Sequence, residues 1–234
     1  TDASNGLTLP NLSRFLSELG VYRALNLDGG GSTTMVSRPL GEFGITRVFP
    51  PEQATERLVA NALGVYSTAP DGSLDGLIIS GEGVLLINEL AQYSLKAYDT
   101  YYNPVAVEGL DLSWSSTQDL GVFDKAQFFA QVPGKTDIVV SSGAINSAFP
   151  IEVVGKDGVS RMGLSASTAN LESGSQIPLK LALTTLSGRS KIVPAALVDW
   201  EFFGFDGSVD EKGLLTVNGL SGEGPGFVVA RYQG

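Results

Sequence analysis

The sequence predicts a multidomain chain: a short, partial α/β (α+β) segment followed by two all-β sandwiches. Three observations carry that expectation. A helix-periodic stretch and an apolar run lead into a triple glycine near the start. Short apolar stretches separated by turn residues fill the remainder. An internal repeat divides that remainder in two, with Trp114 and Trp200 offset by 200 − 114 = 86 residues.

The first segment opens with Leu12, Phe15, Leu16 and Leu19 at i, i+3, i+4 and i+7, one face of a helix. Gly20 is placed to end it. Residues 21–27 read as a short strand, so the order is helix, strand, glycine loop. The loop is Asn26-Leu27-Asp28-Gly29-Gly30-Gly31-Ser32-Thr33-Thr34-Met35-Val36. Glycines let a backbone turn tightly and approach a ligand closely. Successive N–H groups in such a turn converge on an anion, and the hydroxyls add donors and acceptors beside them. A bare strand-to-helix connection is the competing reading. Residues 56–66 form a second mostly apolar, strand-like stretch.

These residues resemble the C-terminal part of the phosphodiester glycosidase family. The likeness rests on residues 20–25, the motif from Asn26 to Val36, and Glu56-Arg57 followed by residues 59–65. Two separated motifs in the right order make it specific, and it covers residues 1–67. The family includes the enzyme that uncovers mannose-6-phosphate tags and many exopolysaccharide-associated bacterial proteins. The resemblance implies hydrolysis of a sugar-1-phosphodiester, with a carbohydrate or sugar-phosphate substrate and an extracellular or cell-surface bacterial setting. Two departures stand out. Leu58 occupies the place where the family usually has proline. The longer N-terminal portion of the family domain has no counterpart here, so a separate chain or segment is expected to complete the first domain.

Asp28 is the catalytic candidate. A carboxylate at a strand end beside a glycine turn points into the mouth of a site, as an acid for a leaving group or a base for water. Its alternative is to cap the following turn. The substrate-binding candidates are Asn26, Gly29, Gly30, Gly31, Ser32, Thr33, Thr34, Arg57 and Asn61. The hydroxyls suit sugar or phosphate oxygens, or else a helix cap. Arg57 suits a phosphate clamp, or a surface pair with Glu56 or Glu52. Asn61 suits substrate or a buried backbone. Glycoside hydrolysis usually takes two flanking carboxylates. Glu42 and Glu56 are the other acids nearby, without a spacing argument for either.

Composition narrows the chemistry. The chain has 234 residues, enough for about two domains, with no cysteine and no histidine. Disulfides, thiolate zinc sites and imidazole bases are therefore excluded. No cofactor and no metal site is expected; Asp99, Asp124 and Asp210 sit at turns without the clustering of a calcium loop and read as solvated turn residues. Net charge is −10. Residues 1–67 hold 5 basic and 6 acidic residues, and the remaining 167 hold 10 and 19, so the acidity lies in the tail. Nucleic-acid binding is disfavoured by that balance. No run of about 18 apolar residues marks a membrane span.

Residues 67–73 read as a linker. Beyond it, strands are expected over 76–80, 93–98, 110–114, 127–132, 138–142 and 149–154. The repeat pairs Leu95 with Leu181, Trp114 with Trp200, Gly121 with Gly207, Asp124 with Asp210 and Phe129 with Leu215. Its length suits an immunoglobulin-like sandwich. The two copies, 75–155 and 160–234, resemble bacterial immunoglobulin-like modules through Tyr98-Asp99, Asn103-Pro104-Val105, Trp114 to Gly121, Phe128-Phe129-Ala130 and Gly134. The second is expected to lack its last strand. Both tryptophans read as core residues. The rival to hydrolysis is a non-catalytic surface protein whose modules bind or adhere.

Overall fold

In the computed structural model, residues 6–25, 33–48, 58–60, 62–168, 170–222 and 224–234 are described. The first segment holds one helix, α1 (Leu9–Glu18), and a two-stranded ladder of β1 (Val36–Ser37) and β2 (Thr46–Arg47). Thr8 caps the helix start by accepting from the Asn11 N–H at 3.4 Å. Its end is a Schellman turn. Gly20 (φ +77°) donates to Ser17 O at 3.0 Å, and Val21 donates to Leu16 O at 3.0 Å. The periodic apolar face lies where expected, but α1 buries none of its residues. Residues 21–25 form no strand and are exposed, and no strand among the described residues pairs with them. The same holds for residues 58–60 and 62–66, with Leu58, Val65 and Tyr66 all fully or nearly fully exposed. A packed α/β unit is therefore not seen among the described residues here.

The remainder is β-rich. The first unit runs through β3 (Leu74–Ser80), β4 (Val84–Leu86), β5 (Leu90–Gln92), β6 (Ser94–Asp99), β7 (Pro104–Val105), β8 (Ser113–Ser116), β9 (Gly121–Asp124), β10 (Gln127–Ala130), β11 (Gly134–Ser142) and β12 (Ile145–Val154). Its sheets are ordered β3-β6-β7, β5-β10-β9 and β4-β12-β11-β8. β4 pairs with β12 in parallel; the other pairings are antiparallel. Alternation decides which side chains go inward. Leu77 and Ile79 of β3, Phe128 and Ala130 of β10, Ile138 and Val140 of β11, and Ile151 and Val153 of β12 meet in one buried core. Trp114 packs against that core, its ring 6.4 Å from Phe123. Of the expected strands, 110–114 is displaced: Leu110 and Leu112 pack as core side chains outside any strand, and pairing begins at Ser113.

The second unit runs through β13 (Val159–Ala166), β14 (Gln176–Thr185), β15 (Ser190–Ile192), β16 (Asp199–Phe203), β17 (Phe205–Val209), β18 (Leu214–Leu220) and β19 (Phe227–Arg231). Adding 86 to Leu74–Ser80 gives 160–166, within β13; the same shift carries β6 onto the end of β14, β7 onto β15 and β8 onto β16. Trp200, like Trp114, is half-buried against the core, and its indole N–H donates to Ala195 O at 3.2 Å. The sheet holding Trp200 has two strands, β16 and β19, where its counterpart has four.

One buried cluster joins the units: Val84, Leu86 and Val154 pack with Leu181, Leu183, Val193, Val198 and Tyr232. The Tyr232 hydroxyl donates to Val154 O at 2.9 Å and accepts from the Ile87 N–H at 3.2 Å. Burial raises the pKa of this phenol, so it stays a neutral donor. Beside it, Lys191 Nζ lies 2.7 Å from Glu89 Oε1, both side chains largely buried.

The β6–β7 turn is organised by Asp99, which is 2% exposed. Its carboxylate accepts from the backbone N–H groups of Gly72 (2.7 Å), Tyr101 (2.9 Å) and Asn103 (2.8 Å), and from Asn103 Nδ2 (3.1 Å). Asp99 is thus a buried structural acid, not a solvated one, and it ties the end of the 67–73 linker to the sheet. Burial alone would raise its pKa, but these hydrogen bonds outweigh that and hold it at about 2.

Two outcomes follow from these contacts. An acid whose folded pKa is depressed contributes stability that is present above its unfolded pKa and lost as pH falls through the folded one. The stability difference between the parent and Asp99→Asn should therefore be largest above about pH 4 and shrink toward pH 2 in urea unfolding curves. Tyr232→Phe removes the hydroxyl from both of its bonds and should cost about 1–2 kcal/mol in the same measurement.

Candidate functional site

The glycine motif lies between the helix α1 and the strand β1. Asn26, Asp28, Gly29, Gly30, Gly31 and Ser32 lie outside the described residues, as do Arg57 and Asn61. Thr33 and Thr34 are described; both are exposed and lead into β1. The structure therefore gives the frame of the motif. Upstream, the Schellman turn fixes where the chain leaves α1. Downstream, the β1–β2 ladder is extended by Val48 donating to Met35 O at 2.9 Å.

The loop of that ladder docks on the first β-unit. Gly41 is buried at φ +76°, and a Cβ there would sit 2.9 Å from Lys96 Cβ and 3.3 Å from Ala97 O on β6. Close backbone approach in the left-handed region is a glycine requirement. Glu42, one of the two alternative acids, forms an ion pair with Lys96. Its carboxylate therefore serves docking, half-exposed, where such a pair adds little beyond orientation. Glu56 lies outside the described residues. Among the described residues there is no group of three acidic or other metal-ligating side chains that would hold a metal ion. No helix among them is long and apolar enough to cross a membrane.

A shallow cleft of about 560 Å³ sits at the junction of the β-units, lined by Ile87, Pro133, Lys135, Glu152, Lys156 and Gln233 among others. Its polar groups are partly engaged already. Glu152 accepts from Ser187 Oγ at 2.8 Å, and Gln233 Oε1 accepts from the Lys156 N–H at 3.0 Å.

Residues 1–66 match the profile of the phosphodiester glycosidase family. That span contains the glycine motif, Asp28, Arg57 and Asn61, together with the docked hairpin. No curated protein matches the chain. Among solved structures, the chain is similar to domains 5–6 of the S-layer protein SbsC, at 15% identity and a TM-score of 0.31, covering 69% of this chain and 92% of that one. Domains 4 and 5 of the same protein give 18% identity and 0.31, covering 68% and 94%. The human protocadherin-24 EC1-2 structure gives 12% and 0.22, covering 61% and 77%.

The docked glycine missed by sequence reasoning had a faint signal. Gly41 and Gly44 flank Glu42-Phe43, a tight-loop composition between two short extended pairs. Gly41→Val should detach the hairpin at a cost of about 1–3 kcal/mol. Hydrogen exchange should then show faster exchange at Val36, Ser37, Thr46 and Arg47, with β11 and β12 unchanged.

Proposed function

We propose that the chain is part of a secreted or surface-attached phosphodiester glycosidase that hydrolyses a sugar-1-phosphodiester. The observation that carries this reading is the family match over residues 1–66, which spans the Asp28 motif. In it, residues 1–67 form the C-terminal part of the catalytic domain, completed by a further segment or chain. Residues 75–155 and 160–234 are immunoglobulin-like modules that space or attach it. The setting is extracellular or the bacterial cell surface, and the substrate belongs to a phosphorylated glycan or exopolysaccharide.

The chemistry follows from the residue types. Asp28 acts as the acid or base at the scissile bond. Glycine N–H groups at 29–31 and the hydroxyls of Ser32, Thr33 and Thr34 hold phosphate and sugar oxygens. Arg57 clamps a phosphate oxygen pair with its planar fork, and Asn61 adds an amide contact to the sugar. With no histidine in the chain, proton transfer by these residues rests on carboxylates.

Asp28→Asn in the full-length protein should lower turnover of an N-acetylglucosamine-1-phosphodiester by about 10²-fold or more while leaving the circular dichroism spectrum unchanged. Unaltered turnover would remove Asp28 from the mechanism. Saturable glycan binding by the intact protein without any hydrolysis would favour the non-catalytic surface reading.

A further inference from the structure

The repeat supplies an internal control for one exposed loop. The turn from Asp99 to Asn103 and the turn from Thr185 to Arg189 are the same structure 86 residues apart. Asp99 N donates to Asn103 O at 2.9 Å, and Thr185 N donates to Arg189 O at 2.8 Å. Tyr102 N donates to Asp99 O at 2.9 Å, and Gly188 N donates to Thr185 O at 3.0 Å. Even the side-chain contact persists, with Asn103 N donating to Asp99 Oδ1 and Arg189 N to Thr185 Oγ1.

The fourth residue of each turn lies in the left-handed region. It is Gly188 at φ +82° in the second copy and Tyr102 at φ +64° in the first. Glycine takes that conformation freely, whereas an aromatic side chain is strained there. Glycine meets the backbone requirement in the second copy, so the ring at Tyr102 is an addition of the first. Strained residues of this kind gather at ligand clamps.

What Tyr102 adds is a surface. It is 66% exposed, and Tyr101 beside it is 50% exposed. The Tyr102 ring stacks on Tyr98, with centroids 6.0 Å apart and planes 24° from parallel. Tyr98 has room because its register partner on β3 is Gly76, where a Cβ would lie 2.2 Å from the Tyr98 ring. Asp75, exposed at the bulge between Leu74 and Gly76, lies beside this pair in the register. Thr100 is exposed at the same tip.

We propose that Tyr98, Tyr101 and Tyr102 form a carbohydrate-binding surface, taking the apolar face of a pyranose ring on the Tyr102 platform. A pyranose has one face of C–H groups and a rim of hydroxyls. A rigid, ordered ring with a polar edge matches both, at low cost in side-chain entropy. The phenol hydroxyls and the Asp75 carboxylate supply rim contacts. A protein partner fits less well, since a stable interface needs about 800 Å² per side with an apolar centre. Here the register partners of Tyr98 are only Gly76 and Pro104, and Thr100, Asp75 and Asn103 adjoin them in sequence. The surface is independent of the catalytic reading, because it belongs to the first β-unit and uses none of residues 1–66.

The test is calorimetric titration of the full chain with cellohexaose, chitohexaose and maltohexaose. Saturable binding to at least one is expected. Tyr102→Gly, which copies the second turn, should leave the melting temperature unchanged or higher and weaken that binding about fivefold to tenfold. Tyr102→Phe should keep affinity within about twofold. No binding to any of the three sugars, or equal binding by Tyr102→Gly, would overturn the proposal. So would concentration-dependent self-association that Tyr102→Gly abolishes without any sugar binding, which would assign the surface to protein contact. Because each outcome is read from binding, none depends on whether Asp28 is catalytic.

Discussion

The carbonyl of Val154 lies at the end of β12, where the first β-unit hands the chain to the second, and Tyr232 from the last strand region reaches back to it. Around that bond, strand ends of one unit share a single apolar cluster with Leu181 and Leu183 of β14 and with Val193, Val198 and Tyr232 from the connections of the other. Each Leu or Val side chain buried there contributes about 1.5–3 kcal/mol, against about 1 kcal/mol for each hydrogen bond. Apolar burial therefore sets the strength of the junction. The directional contacts set its geometry: Tyr232 with Val154 and Ile87, Lys191 with Glu89, and Gln233 with Lys156. The largely buried Lys191–Glu89 pair is better seen as fixing orientation than as adding net stability.

A duplicated unit separates what a fold requires from what it merely tolerates. Position 99 and its counterpart at 185 both supply a buried acceptor for the backbone N–H four residues on. A carboxylate serves in one copy and a hydroxyl in the other. The carboxylate has capacity for more donors, so the first copy also captures Gly72 and the Asn103 side chain. The β-core shows the same economy: Leu95 and Leu181 face inward at equivalent places with quite different neighbours along each strand.

Much of this was legible in the chain itself. Alternation in residues 93–98 and the spacing of the two tryptophans carried the strands and the repeat, because half-buried sheets impose a period of two on their residues. The local pattern of residues 21–25 misled for the opposite reason. An apolar run becomes a strand only when another strand completes its hydrogen bonds, and nothing in the run itself encodes that partner. The burial of Asp99 was hidden because an aspartate at a turn usually faces water; only the convergence of Gly72, Tyr101 and Asn103 reverses that. At the glycine motif, Asp28, Arg57 and Asn61 lie outside the described residues, and residue types alone do not encode how such groups are placed.

The parallel pairing of β4 with β12 has a mechanical meaning. β12 leads directly toward β13, so it is the strand through which a pull on the second unit enters the first. It is clamped on one side by nine antiparallel partners from β11 and on the other by three parallel partners from β4. Tension along it loads those bonds together in shear, instead of unzipping them one after another. Such a strand resists extension as a whole, so the junction between the units yields only when many bonds break at once.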